Sequence, residues 1–240
     1  MNAELDPNSI AAEFLKQNLD ELVEGAKNFF KGATDKFRLN LDRTYQHYLT
    51  TLLAKHSKTK SFLLRGEPVS LYQFYVHLNL LFGKKTIRAA GVRDIIGLAP
   101  NTIVTGSAGS GKSMLVRHLL LDSLVTKFRV PIFVELREFN FFDGDLLDLI
   151  MRILTIYKFS MGIDYVKKAI EAGHFILFLD GYDEVAHNRR QNVRSTIHSF
   201  LKLNDKNLVI LTSRPDPELE GWELFSIATV APCLYLKRLR

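Results

Sequence analysis

The chain has 240 residues, 47% hydrophobic and 24% charged, a balance that suits a globular protein large enough to bury a core and excludes a disordered one. The net charge of +6 is mild and the basic residues are scattered, which argues against nucleic acid as a partner. Cys233 is the only cysteine, so no disulfide forms within the chain and a cytoplasmic location fits. No apolar run approaches the roughly eighteen residues of a membrane span, and the acidic stretch from Met1 to Asp20 lacks the apolar centre of a signal peptide.

Asp6-Pro7-Asn8-Ser9 opens the first helix signal, and Ile10, Phe14, Leu15, Leu19, Leu22 and Val23 follow at helical spacing. Further stripes at Phe29 to Phe37 and Leu41 to Leu53 predict two or three amphipathic helices over residues 8–56. We take residues 1–60 as a helical N-terminal region that either packs on the next domain or serves as an adaptor or effector module. Lys55 to Ser61 is polar and basic and reads as a linker or an exposed corner, with Phe62-Leu63-Leu64 as a short apolar segment after it. Phe74 to Leu80 alternates as a strand does, Gly83-Lys84-Lys85 breaks that pattern, and Ile87 to Ile96 reads as a short helix closed by Gly97 and Pro100.

From Asn101 the rhythm becomes strand then helix. Strands are expected at Asn101–Thr105, Val130–Leu136, His174–Leu179, Asn207–Thr212 and Leu224–Val230. Helices are expected at Ser113–Phe128, Leu146–Lys158, Ile163–Ala172 and Asn188–Leu201. Short, continuously apolar strands alternating with helices predict an α/β fold, a parallel sheet with helices on both faces, over residues 61–240. Ligands of such sheets bind beyond the carboxyl ends of the strands. Every candidate motif falls there.

Gly106-Ser107-Ala108-Gly109-Ser110-Gly111-Lys112-Ser113 is a complete phosphate loop between a predicted strand and a predicted helix. Its backbone N–H groups and the helix N-terminus suit phosphate, Lys112 suits the β- and γ-phosphates, and the Ser113 hydroxyl suits magnesium. The apolar strand ending in Leu179-Asp180-Gly181-Tyr182-Asp183-Glu184 delivers Asp180 as a metal-side carboxylate, with Glu184 placed to activate water and Asp183 able to share either task. A third strand ends in Thr212-Ser213-Arg214-Pro215, where Arg214 can stabilise the charge of a γ-phosphate. No Asn-Lys-x-Asp guanine-reading motif follows, which favours ATP over GTP.

The seven histidines show no metal-ligand spacing, although His187 follows the acidic motif closely enough to lie near a nucleotide. Phe139, Phe141 and Phe142 read as a protomer contact, a lid, or packed loop residues.

Taken together, the three strand ends resemble the NACHT family of P-loop NTPases, within the signal-transducing ATPases with numerous domains, over residues 62–236. The Asp-Gly-x-Asp-Glu form of Asp180 to Glu184 is what narrows a general phosphate-loop match to this family. The resemblance implies an ATP/ADP switch with Mg2+ that hydrolyses slowly and self-associates when triggered. It implies that Asp180 stands on the magnesium side, that Asp183 and Glu184 support hydrolysis, and that Arg214 is a sensor. Many members act in innate immunity, and bacterial ones in antiviral defence against phages. Their sensors for a phage or pathogen component, together with a small helical domain and a winged helix, lie C-terminal to the ATPase. None is present here, so the chain is expected to be an N-terminal fragment, with Leu236 to Arg240 reading as a cut end. Base contacts are expected from Arg88 to Ile96. A stand-alone P-loop ATPase working on nucleic acid and a nucleotide-bound scaffold with little turnover are the other readings.

Overall fold

The protein is described by a computed structural model, which covers residues 47–60, 68–126, 128–159 and 163–232. The helices expected before residue 47, the Phe62-Leu63-Leu64 segment, Cys233 and the basic C-terminal residues lie outside the described residues.

Seven strands form one sheet: β3 (Asn79–Phe82), β4 (Lys85–Arg88), β5 (Asn101–Thr105), β6 (Val130–Glu135), β7 (Phe175–Asp180), β8 (Leu208–Ser213) and β9 (Ser226–Val230), in the order β4-β3-β9-β5-β8-β7-β6. From β9 to β6 all neighbours are parallel, while β3 runs antiparallel to both β4 and β9. β7 is buried from Phe175 through Leu179 and β8 along its whole length, so both faces of the sheet centre are covered, which is what their unbroken apolar runs require.

The cover comes from α2 (Val92–Ile96), α3 (Lys112–Val125), α4 (Leu146–Ile156), α5 (Ile163–Glu171) and α6 (His187–Leu203). Helix α3 lies against β6, β7 and β8, and α4 packs on β6 and α6. Asp145 starts α4 with a reciprocal cap, its carboxylate accepting from Asp148 N while Asp148 returns the bond to Asp145 N.

The expected Asn101–Thr105 strand is present, and the other core strands begin or end within two residues of expectation. Before residue 100 the structure corrects three readings. The strand placed at Phe74–Leu80 instead occupies Asn79–Phe82, because Gly83-Lys84 is the two-residue turn of a β3–β4 hairpin that pairs Phe82 with Lys85. The helix placed over Ile87–Ile96 is β4 followed by the five residues of α2. The supposed linker at Lys55–Ser61 contains β1 (Lys58–Lys60), paired with β2 (Pro68–Ser70).

Ahead of β1, residues 47–56 form α1, which covers the β6 edge of the sheet. Tyr48, Leu49 and Leu52 are fully buried and Leu53 nearly so, each contributing roughly 1.5–3 kcal/mol of apolar burial. The Tyr48 hydroxyl donates to Pro131 O at 2.5 Å, and Pro131 itself has no N–H to offer beyond the sheet. At the other end of α1, the buried His56 ring lies 4.3 Å from Phe133, with Nε2 3.3 Å from the Tyr157 hydroxyl.

Burial, aided by Lys55 and Arg117, pushes the His56 pKa down to about 3 from its ordinary 6.5. The folded state therefore keeps this imidazole neutral while the unfolded chain takes up a proton below pH 6.5. Its contribution to stability is complete above that pH and is lost as pH falls toward 3. Denaturant unfolding should show wild type losing up to about 1.4 kcal/mol more per pH unit than His56→Leu across that window. Parallel pH profiles for the two proteins would refute the assignment.

Candidate nucleotide site

Strand β5 ends at Thr105 and α3 begins at Lys112, with the phosphate loop between them. Gly109 and Gly111 have φ of +73° and +89°, a left-handed backbone that curls the loop and that side-chain-bearing residues resist. The first N–H groups of α3 have no helical partners and face the loop, an arrangement that favours anions. Lys112 Nζ folds over the loop and donates to Gly106 O at 2.7 Å and Ser107 O at 3.0 Å. Burial lowers its pKa; Asp183 and Asp180 act in the opposite direction and Arg214 reinforces the fall.

Asp180 closes β7 beside the loop. Its Oδ1 accepts from Ser113 Oγ at 3.2 Å and from Thr212 Oγ1 at 2.5 Å, and Thr212 in turn accepts from Gly181 N at 2.9 Å. Strand β8 lies between β5 and β7, so its end meets both the loop and the acidic motif. Gly181, at φ +79°, then turns the chain into a short 3-10 turn, Tyr182–Glu184.

Asp183 and Glu184 differ sharply in their surroundings. The Asp183 carboxylate takes two donors of Arg214, the backbone N at 3.1 Å and Nε at 2.8 Å, and is 19% exposed. Glu184 is 52% exposed and stands 3.7 Å from Arg137, which also pairs with Glu135 at the end of β6. Asp183, Glu184 and Arg214 border a polar cleft of about 440 Å³ with Arg190, Pro215 and Asp216.

On the other side of the phosphate loop lies a cleft of about 530 Å³, lined chiefly by apolar residues including Phe74, Tyr75, Leu78, Met114, Val230 and Pro232. Arg88 to Ile96, the expected source of base contacts, begins against the cleft wall, where Ala89 N donates to Leu78 O at 2.8 Å, and then runs into α2. Val92 N donates to Asp122 Oδ2 at 2.7 Å, near the far end of α3 and roughly 15 Å along the helix from Lys112. The alternation misread as a strand at Phe74–Leu80 belongs instead to a cleft wall. His187 is an exposed residue at the start of α6. Of the three loop phenylalanines, Phe139 is core, Phe142 packs against the core, and Phe141 is 92% exposed.

Sequence reasoning missed Asn140, Arg137 and Arg190. Asn140 clamps the acidic turn through its amide, donating to Glu184 O at 3.0 Å and accepting from Ala186 N at 2.8 Å. The only sequence-level signal was their position just after strand or motif ends. Among the described residues no group of three His, Cys, Asp or Glu could hold a metal ion by itself, and no helix is long and apolar enough to cross a membrane.

A strand, a glycine-rich loop and a helix, with an acidic strand end hydrogen-bonded to the loop, define a nucleotide-binding P-loop NTPase. The family model of the NACHT domain matches residues 101–231, more than half of the chain, and the chain belongs to that family. A second model, of the FtsK/SpoIIIE family, matches residues 71–129, from the cleft wall through α3. No curated protein matches the sequence.

Solved structures with similarity include C. elegans PCH-2, 16% identical over 58% of this chain and 37% of that one, with a TM-score of 0.37. AMPPCP-bound DnaA from Aquifex aeolicus is 17% identical over 55% of this chain and 40% of its own, with a TM-score of 0.35. A chain of the E. coli MS115-1 HORMA:CdnC:Trip13 complex is 18% identical over 58% of this chain and 50% of its own, with a TM-score of 0.37. The matches thus span half or less of each of these chains.

A side chain at residue 181 would place its Cβ 3.2 Å from Glu184 Cδ as well as straining the backbone. Gly181→Ala is expected to destabilise the protein by roughly 1–2 kcal/mol in denaturant unfolding. An unchanged midpoint would show that the turn relaxes without cost.

Proposed function

We propose that this chain is the ATPase core of a NACHT-type molecular switch, one that binds ATP with Mg2+, hydrolyses it slowly and self-associates when triggered. The observation that carries the reading is the pair of hydrogen bonds joining Asp180 to Ser113 and Thr212 at the mouth of the phosphate loop. Two hard oxygen groups, one hydroxyl and one carboxylate, stand within hydrogen-bond reach of each other where a triphosphate would end, and such donors suit Mg2+. Ser113 and Asp180 would hold the ion, which when bound offsets phosphate charge.

In this reading Gly106, Ser107, Ala108, Gly109, Ser110 and Gly111 supply backbone donors to the phosphates. Lys112 leaves the loop carbonyls for the β- and γ-oxygens. Glu184, the more exposed carboxylate, takes a proton from water as its oxygen attacks the γ-phosphorus and the bond to the β,γ-bridging oxygen breaks, giving ADP and phosphate. Asp183 serves less as a base than as the carboxylate that orients Arg214 toward the developing charge. The apolar cleft beside the loop receives the nucleoside, Phe74, Tyr75 and Met114 offering flat or pliable surfaces for a base. A C-terminal sensor outside this chain, a phage or pathogen component as trigger, a cytoplasmic location and a role in antiviral defence rest on the family resemblance alone.

ATP turnover measured beside nucleotide affinity tests the assignment. Lys112→Ala should weaken ATP binding by roughly 10- to 100-fold, the loss of a charge-assisted contact. Glu184→Gln should bind ATP as wild type does and turn it over at least about 100-fold more slowly. Wild-type turnover no higher than that of Lys112→Ala would remove the enzyme reading and leave a nucleotide-bound scaffold.

The cleft assignment has its own check. Met114→Trp, which fills the cleft, should weaken ATP several-fold, as overpacking does, while leaving inhibition by inorganic tripolyphosphate unchanged. Equal losses for both ligands would place the nucleoside elsewhere.

A further inference from the structure

The first turn of α6 carries two adjacent arginines that serve different loops. Arg189 reaches back to the loop after β6, donating to Phe139 O at 3.1 Å and to Asp143 Oδ1 at 2.7 Å. Arg190 turns toward the strand ends. Its Nε donates to Val185 O at 3.2 Å, one terminal nitrogen to Asp183 O at 3.2 Å, and the other to Asp216 Oδ2 at 3.0 Å. The guanidinium carbon also lies 5.9 Å from the centre of the Tyr182 ring, and the Tyr182 hydroxyl donates to Arg190 O at 3.3 Å.

These bonds close a circuit. Asp183 is held at both ends, its carbonyl by Arg190 and its carboxylate by Arg214. Two residues beyond Arg214, Asp216 returns to Arg190. Asp216 cannot swing away freely, because its other oxygen accepts from Glu218 N at 3.0 Å and caps the turn Pro217–Gly221. The Arg190–Asp216 pair is only 21% and 26% exposed, so solvent screens it less than an ordinary surface pair.

We propose that Arg190 is a positioning residue that couples the acidic turn after β7 to the arginine loop after β8, so that Glu184 and Arg214 are placed by one clasp. The proposal rests on the preceding assignment of Asp183, Glu184 and Arg214 to hydrolysis. Neither loop is fixed by sheet hydrogen bonds, since both lie beyond the ends of their strands. A planar guanidinium with separate donors serves three acceptors in two loops at once, and a lysine ammonium at the same place lacks that fork. The small distances involved matter, because misplacing a reacting group by about 1 Å costs up to roughly 100-fold in rate.

The test uses the whole chain and combines amide hydrogen exchange with turnover. Arg190→Gln should raise exchange in both 182–186 and 214–218 while the phosphate loop, 106–113, stays at the wild-type level. Its kcat should fall about tenfold or more with ATP affinity within about threefold of wild type, and Arg190→Lys should not restore it. Asp216→Asn keeps an acceptor for Glu218 N and breaks only the arm to Arg190. It should loosen the same two segments to a smaller degree, and it stands in if Arg190→Gln fails to fold.

Exchange rising in one loop alone, in neither, or throughout the protein would overturn the coupling, and so would turnover and affinity falling in parallel. If wild-type protein binds no ATP, the assignment of the previous subsection fails while the exchange measurement, made without nucleotide, still decides the coupling.

Discussion

Everything at this site depends on one carboxylate being reached from two directions. Asp180 accepts from Ser113, at the start of α3, and from Thr212, near the end of β8. That meeting requires β8 to lie between the strand that launches the phosphate loop and the strand that ends in Asp180. The register satisfies it: Thr105 stands opposite Ser213 across the β5–β8 ladder, and Leu179 opposite Leu211 across the β7–β8 ladder. A strand shifted by a single residue would turn its hydroxyl to the opposite face of the sheet. The apolar residues of β7 and β8, buried throughout, hold the register that the polar contact needs.

Around this point the carboxylates divide their tasks by environment rather than by type. Asp180 is engaged with hydroxyls, Asp183 with an arginine, and Glu184 with solvent and an exposed arginine. Three acids within five residues thus meet three different chemistries. Gly181 makes this possible, because a left-handed residue between the strand and the 3-10 turn bends the chain out of the strand before Asp183 arrives. A continuing strand would have carried Asp183 away from the sheet end along β7.

The parallel core was legible because its signals are local. The runs Phe175–Leu179 and Leu208–Leu211 are apolar without interruption, the phosphate loop is a contiguous motif, and each is explained by burial or by backbone geometry within a few residues. The region before residue 100 was read less well. Phe74 to Leu80 alternates, yet the period comes from one wall of a cleft, while the true strand was decided by a Gly-Lys turn and by pairing with β9, a partner more than 140 residues away in sequence. Asn140 and Arg190 were invisible for a related reason. Their partners are mainly backbone groups and an aspartate in loops that come near only after the sheet has formed, so no side-chain pattern announces them. The base-side expectation at Arg88–Ile96 rested on nearness to the phosphate strand in sequence; in the fold Ala89 bonds to Leu78 of the cleft wall, while α2 docks at the far end of α3.

The two edges of the sheet are finished differently, and the elements that cover them, the β3–β4 hairpin and α1, lie outside the stretch that marks the family. At one side β9 is continued by the β3–β4 hairpin, whose outer strand carries exposed Lys85 and Arg88. At the other, β6 carries Pro131, whose carbonyl accepts the hydroxyl of Tyr48, under the apolar stripe of α1. Charge, proline and a covering helix are the devices that keep open strands from recruiting other chains. The segment recognisable by ancestry, 101–231, is therefore smaller than the unit whose sheet edges are covered. Cut to that segment, the sheet would present two bare flanks, β9 without its neighbour and β6 without its roof, and the quality thereby lost is colloidal rather than catalytic.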